Sequence, residues 1–205
     1  MTLFYSSYPY LSNAGFSGYG SWSINTTTYT HSLALFGSNA SEVARRFAPV
    51  AEKLTPLNSS ELNITLSQEF WPDYSSFYDV ETNTATSHAS TGAFVTDNRL
   101  LDGPALTGNL TLLRETLEIV SGTPDQNTFL TVFVHGGAVL AAGRHGPYSS
   151  VQPGWRRSYV MNIIARLFPA TDFGAIQQGV QDDVRITKMD AFRKLAPDTG
   201  SYERG

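Results

Sequence analysis

GYGSWSINTTTYTHSLALF, residues 18–36, decides the fold class. Gly18 to Ile24 and Thr26 to Phe36 are rich in β-branched and aromatic residues with partial alternation. That pattern predicts two strands joined by a polar turn at Asn25. In the second run Tyr29, His31, Leu33 and Leu35 fall on one side, and Gly37 closes the pair. Strands that follow each other in pairs build antiparallel sheets.

Working outward, the same period recurs. Glu61 to Phe70 alternates, with Leu62, Ile64 and Leu66 on one side, and predicts a strand. Thr91 to Leu101 predicts another, closed by Asp102-Gly103-Pro104, and Phe129 to Ala141 a strongly apolar one broken at Gly136-Gly137. Tyr159 to Phe168 is the last, bounded by Pro169. Helical spacing predicts a helix capped by Ser38 or Ser41 and running to Leu54, with Val43, Phe47, Val50 and Leu54 on its stripe. A second covers Asn109 to Val120, and a long one covers Asp172 to Leu195 with Phe173, Ile176, Val180, Val184, Phe192 and Leu195 inward. Trp71-Pro72-Asp73 opens a short helical turn containing Phe77 and Tyr78. Residues 1–18 read as an irregular lead-in, and 19–205 as one domain. The class is α+β: an antiparallel sheet of about six strands with helices on one face. The other face is left free, lined by Tyr, His and Thr, and suits a small molecule or a partner.

Composition narrows the function. Only 16% of the 205 residues are charged and the net charge is −4, against about 25% charged in an average soluble domain. Ser, Thr, Asn and Tyr make the surface hydroxylated rather than ionic, which excludes a polyphosphate partner such as nucleic acid. With no cysteine, disulfides, thiolate metal sites and a cysteine nucleophile are excluded. No run of 18 apolar residues is present, so no membrane span is expected. Met1 to Gly20 lacks a basic n-region and does not read as a signal peptide. Five Asn-x-Ser/Thr sequons, at Asn25, Asn39, Asn58, Asn63 and Asn109, exceed the about two that chance makes in such a chain. They hint at a secretory origin, with the targeting signal upstream of Met1.

The common catalytic fingerprints fail one by one. Gly15-x-x-Gly18-x-Gly20 has the wrong order for a dinucleotide loop and precedes a strand. A nucleophile elbow fails because Tyr19 stands where its second glycine belongs. His31, His88, His135 and His145 show no ligand spacing, so no metal is expected. His135, in the apolar run Val132-Phe133-Val134-His135, reads either as a core histidine with one hydrogen bond or as a polar group aimed into a pocket. Beside it, Gly136-Gly137 reads as a bulge. Tyr29 and His31 share a strand side and are candidate pocket residues. Arg45-Arg46 and Asp182-Asp183 read as solvated helix faces.

Three segments go further. Gln152-Pro153-Gly154-Trp155-Arg156 resembles the Asn-Pro-Ala-Trp-Arg segment of the berberine-bridge-enzyme-like, FAD-linked oxidoreductases. Thr199-Gly200-Ser201-Tyr202, after a long helix, resembles that family's Thr-Gly-Ser-Tyr-x-Asn-Glu segment. Arg99-Leu100-Leu101 is similar to its Ser-Arg-Leu-Ile-Pro passage. Order and spacing match from about Trp22 to Tyr202. The resemblance implies a substrate-binding domain whose antiparallel sheet lies over the isoalloxazine ring of FAD, without the flavin domain that precedes it in the family. It implies a small-molecule substrate, with sugars, alkaloids and polyketides all represented and secondary-metabolite biosynthesis among the roles. Tyr202 is then the catalytic candidate, a base or hydrogen-bond donor near the flavin, and Tyr29, His31 and His135 the substrate-binding candidates. Trp155 and Arg156 brace the fold. Glu203, Arg204 and Gly205 depart from the family pattern, which has an Asn two residues after the Tyr. The implied partner is a separate flavin-domain chain or a second copy of this one. The alternative is a flavin-free small-molecule binder, a cyclase or isomerase, or a partner subunit that uses the open sheet face.

Overall fold

The computed structural model describes residues 1–84, 93–135, 137–142, 152–169 and 174–202. In chain order these form α1 (Thr2–Tyr5), α2 (Tyr8–Asn13), β1 (Ser17–Ser23), β2 (Thr28–Ala34), α3 (Ala40–Leu54), α4 (Tyr74–Thr84), β3 (Ala93–Asp102), α5 (Gly103–Thr107), α6 (Leu110–Ser121), β4 (Thr128–Val134), α7 (Ala138–Ala142), β5 (Ser158–Phe168), α8 (Ala175–Asp182) and α9 (Met189–Leu195). A π-helical turn, Asp183–Lys188, joins α8 to α9. The chain divides into two compact units, residues 1–36 with 92–205, and residues 37–91.

The larger unit is built on one antiparallel sheet in the order β2-β1-β4-β5-β3. Its register aligns His31, Gly20, Val132, Asn162 and Arg99 in a single row. Side chains alternate across a strand, so every second row faces the same way. Rows Tyr29–Trp22–Leu130–Ile164–Asp97 and Leu33–Gly18–Val134–Val160–Leu101 share the face of that first row. This face carries the core: Leu130, Val132, Val160, Asn162, Ile164 and Leu101 are buried. Helices α2, α6, α8 and α9 pack on it. The α+β class with helices on one face stands.

Local chemistry explains the helices. Asn109 Oδ1 accepts from Leu112 N at 3.0 Å, capping α6, and Leu113, Leu117 and Val120 form its buried stripe. Asp102 caps α5 the same way, from Ala105 N at 3.0 Å. Residues 1–18, expected to be irregular, instead hold two short helices and the start of β1, and bury Tyr5, Tyr8, Leu11 and Phe16. Helices this short draw their stability from packing rather than propensity. The expected strand over 129–141 stops at Val134, and α7 follows. Gly137 lies at φ 46, where the Ser12 carbonyl approaches too closely for a side chain; Gly136 and His145 lie outside the described residues.

Gly20 has a comparable constraint. A Cβ there would collide with the ring of its row neighbour His31. Gly20→Ala is therefore expected to cost about 1–3 kcal/mol by overpacking, measured by urea denaturation; an unchanged midpoint would contradict the register.

Asp183 is not on a solvated face: it pairs with Arg166 at 3.0 Å and with Lys188 at 3.4 Å. In an α-helix residues five apart point about 140° away from each other. The i→i+5 hydrogen bonding of the π turn brings Asp183 and Lys188 onto one side. Lys188 Nζ also donates to Ile119 O at the end of α6 (3.2 Å) and to Gln126 Oε1 (3.0 Å). Phe173 lies outside the described residues.

The smaller unit holds α3 and α4. Asn39, rather than Ser38 or Ser41, caps α3, accepting from Glu42 N at 2.9 Å. Arg45 and Arg46 both pair with Glu42 on the helix surface. The strand expected over 61–70 does not form. Asn58 pairs its amide with the Ile64 backbone, accepting at 2.6 Å and donating at 3.2 Å, and Leu62 and Leu66 are exposed. Alternation needs a neighbouring strand to become a ladder, and this segment has none among the described residues. His88 lies outside them.

Candidate functional site

The sheet's second face is the distinctive surface of the larger unit. Its rows are Thr30–Ser21–Thr131–Ile163–Asn98, Ser32–Tyr19–Phe133–Met161–Leu100 and Thr28–Ser23–Phe129–Ala165–Thr96. None of these fifteen side chains is charged. Tyr19 (43%), Phe129 (37%) and neighbouring Phe94 (61%) are exposed, and the Tyr19 and Phe133 rings lie 6.2 Å apart. Ser21 Oγ and Thr30 Oγ1 form a hydrogen bond at 3.1 Å. Toward β2, β1 and β4 this surface is neutral, aromatic and hydroxylated, while Met161 and Leu100 at its β5–β3 end are buried.

At the β3 edge of this face, all three family-like segments meet. Gly200 O accepts from Leu100 N at 3.0 Å, and Thr199 Oγ1 donates to Leu100 O. Arg99 holds the end of α9, donating to Ala196 O (3.1 and 2.6 Å) and Pro197 O (2.9 Å). Arg157 donates to Asp198 O at 2.8 Å. Gly154 lies directly beneath Thr199 O. Tyr202 N donates to Asn98 Oδ1 at 2.6 Å, which fixes Tyr202 at the end of an open-face row. Its ring meets Trp155 edge-on at 5.7 Å and is 61% exposed.

Trp155 in turn lies 4.3 Å from the His135 ring. His135 Nε2 and Ser158 Oγ are 3.0 Å apart, and Ser158 Oγ donates to Gly154 O at 2.9 Å. The hydroxyl has one proton, so Ser158 accepts and Nε2 is the protonated nitrogen. His135 Nδ1 is buried without a hydrogen bond. Burial pulls the His135 pKa down to about 4, with the Phe133 backbone opposing. His135, Trp155 and Tyr202 thus form one continuous stack.

Tyr29 and His31 stand elsewhere. Both belong to the helix-covered face, in an aromatic cluster with Phe4, Tyr5 and Tyr8. Tyr8 and Tyr29 share a hydrogen bond, Tyr29 Oη contacts His31 Nδ1 at 3.2 Å, and Tyr5 Oη pairs with Asn162 at 3.1 Å. Burial raises the pKa of Tyr5, Tyr8 and Tyr29 and lowers that of His31 to about 4. The structure joins two of the four candidates, His135 and Tyr202, and sets Tyr29 and His31 on the opposite face. Tyr19, Thr131, Phe133 and Asn98 had not been singled out from the sequence. Gly18 and Gly20 carry a signal for Tyr19: glycines at alternate positions mark the closely packed side of β1, so Tyr19 and Ser21 face away from it.

No family model matches the chain. An FAD-linked oxidoreductase of Hypomyces subiculosus, hmp9, is 34% identical over 205 residues, covering 95% of this chain and 32% of that protein. Another from Gibberella fujikuroi, apf9, is 32% identical, covering 97% and 35%. The VAO-type flavoprotein MtVAO713 from Myceliophthora thermophila superposes with a TM-score of 0.86 at 30% identity, over 98% of this chain and 36% of that one. The chain is similar to part of each of these FAD-linked and VAO-type flavoproteins. It spans about a third of the length of the curated relatives it matches. Berberine bridge enzyme shares the fold, with a TM-score of 0.55 at 14% identity. Segments 99–101, 152–156 and 199–202 pack on one another at this corner. Among the described residues no cluster of His, Asp and Glu could hold a metal ion, and no helix is long and apolar enough to cross a membrane.

Proposed function

We propose that this chain is the substrate-side sheet of an FAD-dependent oxidation of a small organic molecule. The open face lies over an isoalloxazine ring presented by a flavin domain, and the substrate is held between them. That domain belongs to the same longer polypeptide, to a separate chain or to another copy. The observation that carries this reading is an uncharged aromatic and hydroxyl sheet face with Tyr202 anchored at its edge by Asn98. Its residues fit the planar ring of the cofactor. They do not fit the diphosphate, which calls for cations or a cradle of backbone N–H groups.

When bound, FAD supplies the two-electron acceptor, and the protein supplies binding and orientation. Tyr19 and Phe133 give flat apolar contact. The hydroxyls of Ser21, Thr30 and Thr131 set the substrate's orientation by hydrogen bonds and so lower the entropic part of the barrier. Tyr202 Oη, at the edge, donates a hydrogen bond to the reacting group or receives its proton. The sheet excludes water from the ring it covers.

A titration of the full chain with lumiflavin, the ring without ribityl diphosphate, tests this. Its fluorescence is expected to quench with weak affinity, the quench is expected to be lost in Phe133→Asp, and ADP is expected not to compete. The chain alone is expected to purify without colour, because the face lacks the contacts that hold the nucleotide. A lumiflavin response indifferent to Phe133→Asp, or competition by ADP, would contradict the proposal.

A further inference from the structure

All five sequons present their chemistry to solvent. Asn25, Asn39, Asn58, Asn63 and Asn109 are exposed, and so are the hydroxyl residues two positions on: Thr27, Ser41, Ser60, Thr65 and Thr111. Exposure is not shared by every asparagine, since Asn162 is fully buried and Asn98 half-buried. Asn25 and Asn109, the two in the larger unit, do not lie on a strand of its sheet.

The five amides differ in what they already do. N-linked glycosylation uses Nδ2 and leaves Oδ1 as an acceptor. At Asn109 the fold uses only Oδ1, as the cap of α6, and Nδ2 has no hydrogen-bond partner among the described residues. Thr111 stands exposed two residues on. At Asn58 the fold uses both ends, Oδ1 from Ile64 N and Nδ2 to Ile64 O. A sugar on that nitrogen has to displace the Ile64 pairing or crowd it. Asn25 is intermediate, donating from Nδ2 to Asn127 Oδ1 at 2.7 Å.

We propose that Asn109 is an N-glycosylation site whose modified side chain still caps α6, and that Asn58 stays bare. Nδ2 of Asn109 bonds to the anomeric carbon of a lipid-diphosphate-linked oligosaccharide. The diphosphate leaves with the bonding electrons, and Nδ2 gives up one of its two protons. This places the chain in the secretory lumen, where such donors are used, and keeps the glycan off the face assigned to the substrate.

Two measurements test it. The protein isolated from the cells that make it is deglycosylated in heavy-oxygen water and mapped by mass spectrometry. The label is expected at Asn109 and not at Asn58; an unlabelled Asn109, or equal labelling of Asn58, overturns the proposal. The full chain secreted behind a leader is then compared with Thr111→Ala and Asn109→Ala. Both are expected to lose one glycan on a gel, but only Asn109→Ala is expected to lower Tm, because only it removes the cap. An equal fall in Tm for both overturns the claim that glycan and cap coexist.

Discussion

Lowering the pH from about 6.5 to about 4 is expected to take several kcal/mol from the stability of the larger unit, through His31 and His135. Both pKa values are lowered to about 4 by burial, against about 6.5 in an unfolded chain. Between those values the unfolded chain binds protons that the folded chain refuses, so stability falls as pH falls. At about 1.4 kcal/mol per tenfold, the gap is worth about 3 kcal/mol for each ring. The structural cause is the same in both: His31 Nε2 and His135 Nδ1 are buried without hydrogen bonds. Protonation puts a cation in a desolvated site, and the Phe133 backbone beside His135 offsets only part of that cost. Urea denaturation at a series of pH values is expected to show the loss confined to this window. The double variant His31→Gln, His135→Gln is expected to be less stable at pH 7 but nearly flat across it. A wild-type profile equally flat would show that neither histidine is held neutral by its surroundings.

Lys188→Ala is expected to cost about 3–5 kcal/mol, the range for breaking a buried ion pair. Lys188 is 1% exposed, and its partner Asp183 is 14% exposed. Burial lowers the Lys188 pKa, and Asp183 opposes that by favouring the cation. Removing the ammonium strands Ile119 O, leaves Gln126 Oε1 with Thr123 N alone, and leaves Asp183 with Arg166 alone. Lys188→Met keeps most of the apolar stem and is expected to cost less. In a chain of this size each kcal/mol moves Tm by about 2–4 °C, so the alanine variant is readily resolved by thermal or urea denaturation. A loss under about 1 kcal/mol would mean that the network contributes position rather than stability.

Much of this architecture was legible where a local pattern and its tertiary setting agree. The β1–β2 hairpin, β3 ending at Asp102, β5 and the stripe of α6 all follow from period and punctuation. The misses have physical causes. Glu61 to Phe70 has a strand's alternation, but alternation does not supply a partner strand. Residues 2–13 have no helix longer than a turn or two, so what orders them is the underside of the sheet, which a local reading cannot see. Asp183 looks solvated at a spacing of 3.6 and becomes buried only because the helix widens to a π turn. The site divides along the same line. Tyr202, Trp155 and His135 converge because their segments pack on one another, and the family-like motifs pointed there. Tyr29 and His31 shared a strand side, as read, but period alone does not say which side the helices take. Gly20, opposite His31 in β1, does say so, since it leaves room for the His31 ring.

The proposed role of the sheet depends on which of its sides meets a flat ring. Amide NMR spectra of the isotope-labelled chain, recorded with rising lumiflavin, report that directly. Shifts are expected along β1, β4 and β5 at Tyr19, Ser21, Thr131, Phe133 and Ile163, and at Tyr202, with the amides of α6 and α9 unmoved. Shifts centred instead on the helices, or none at concentrations that saturate the fluorescence quench, would contradict it.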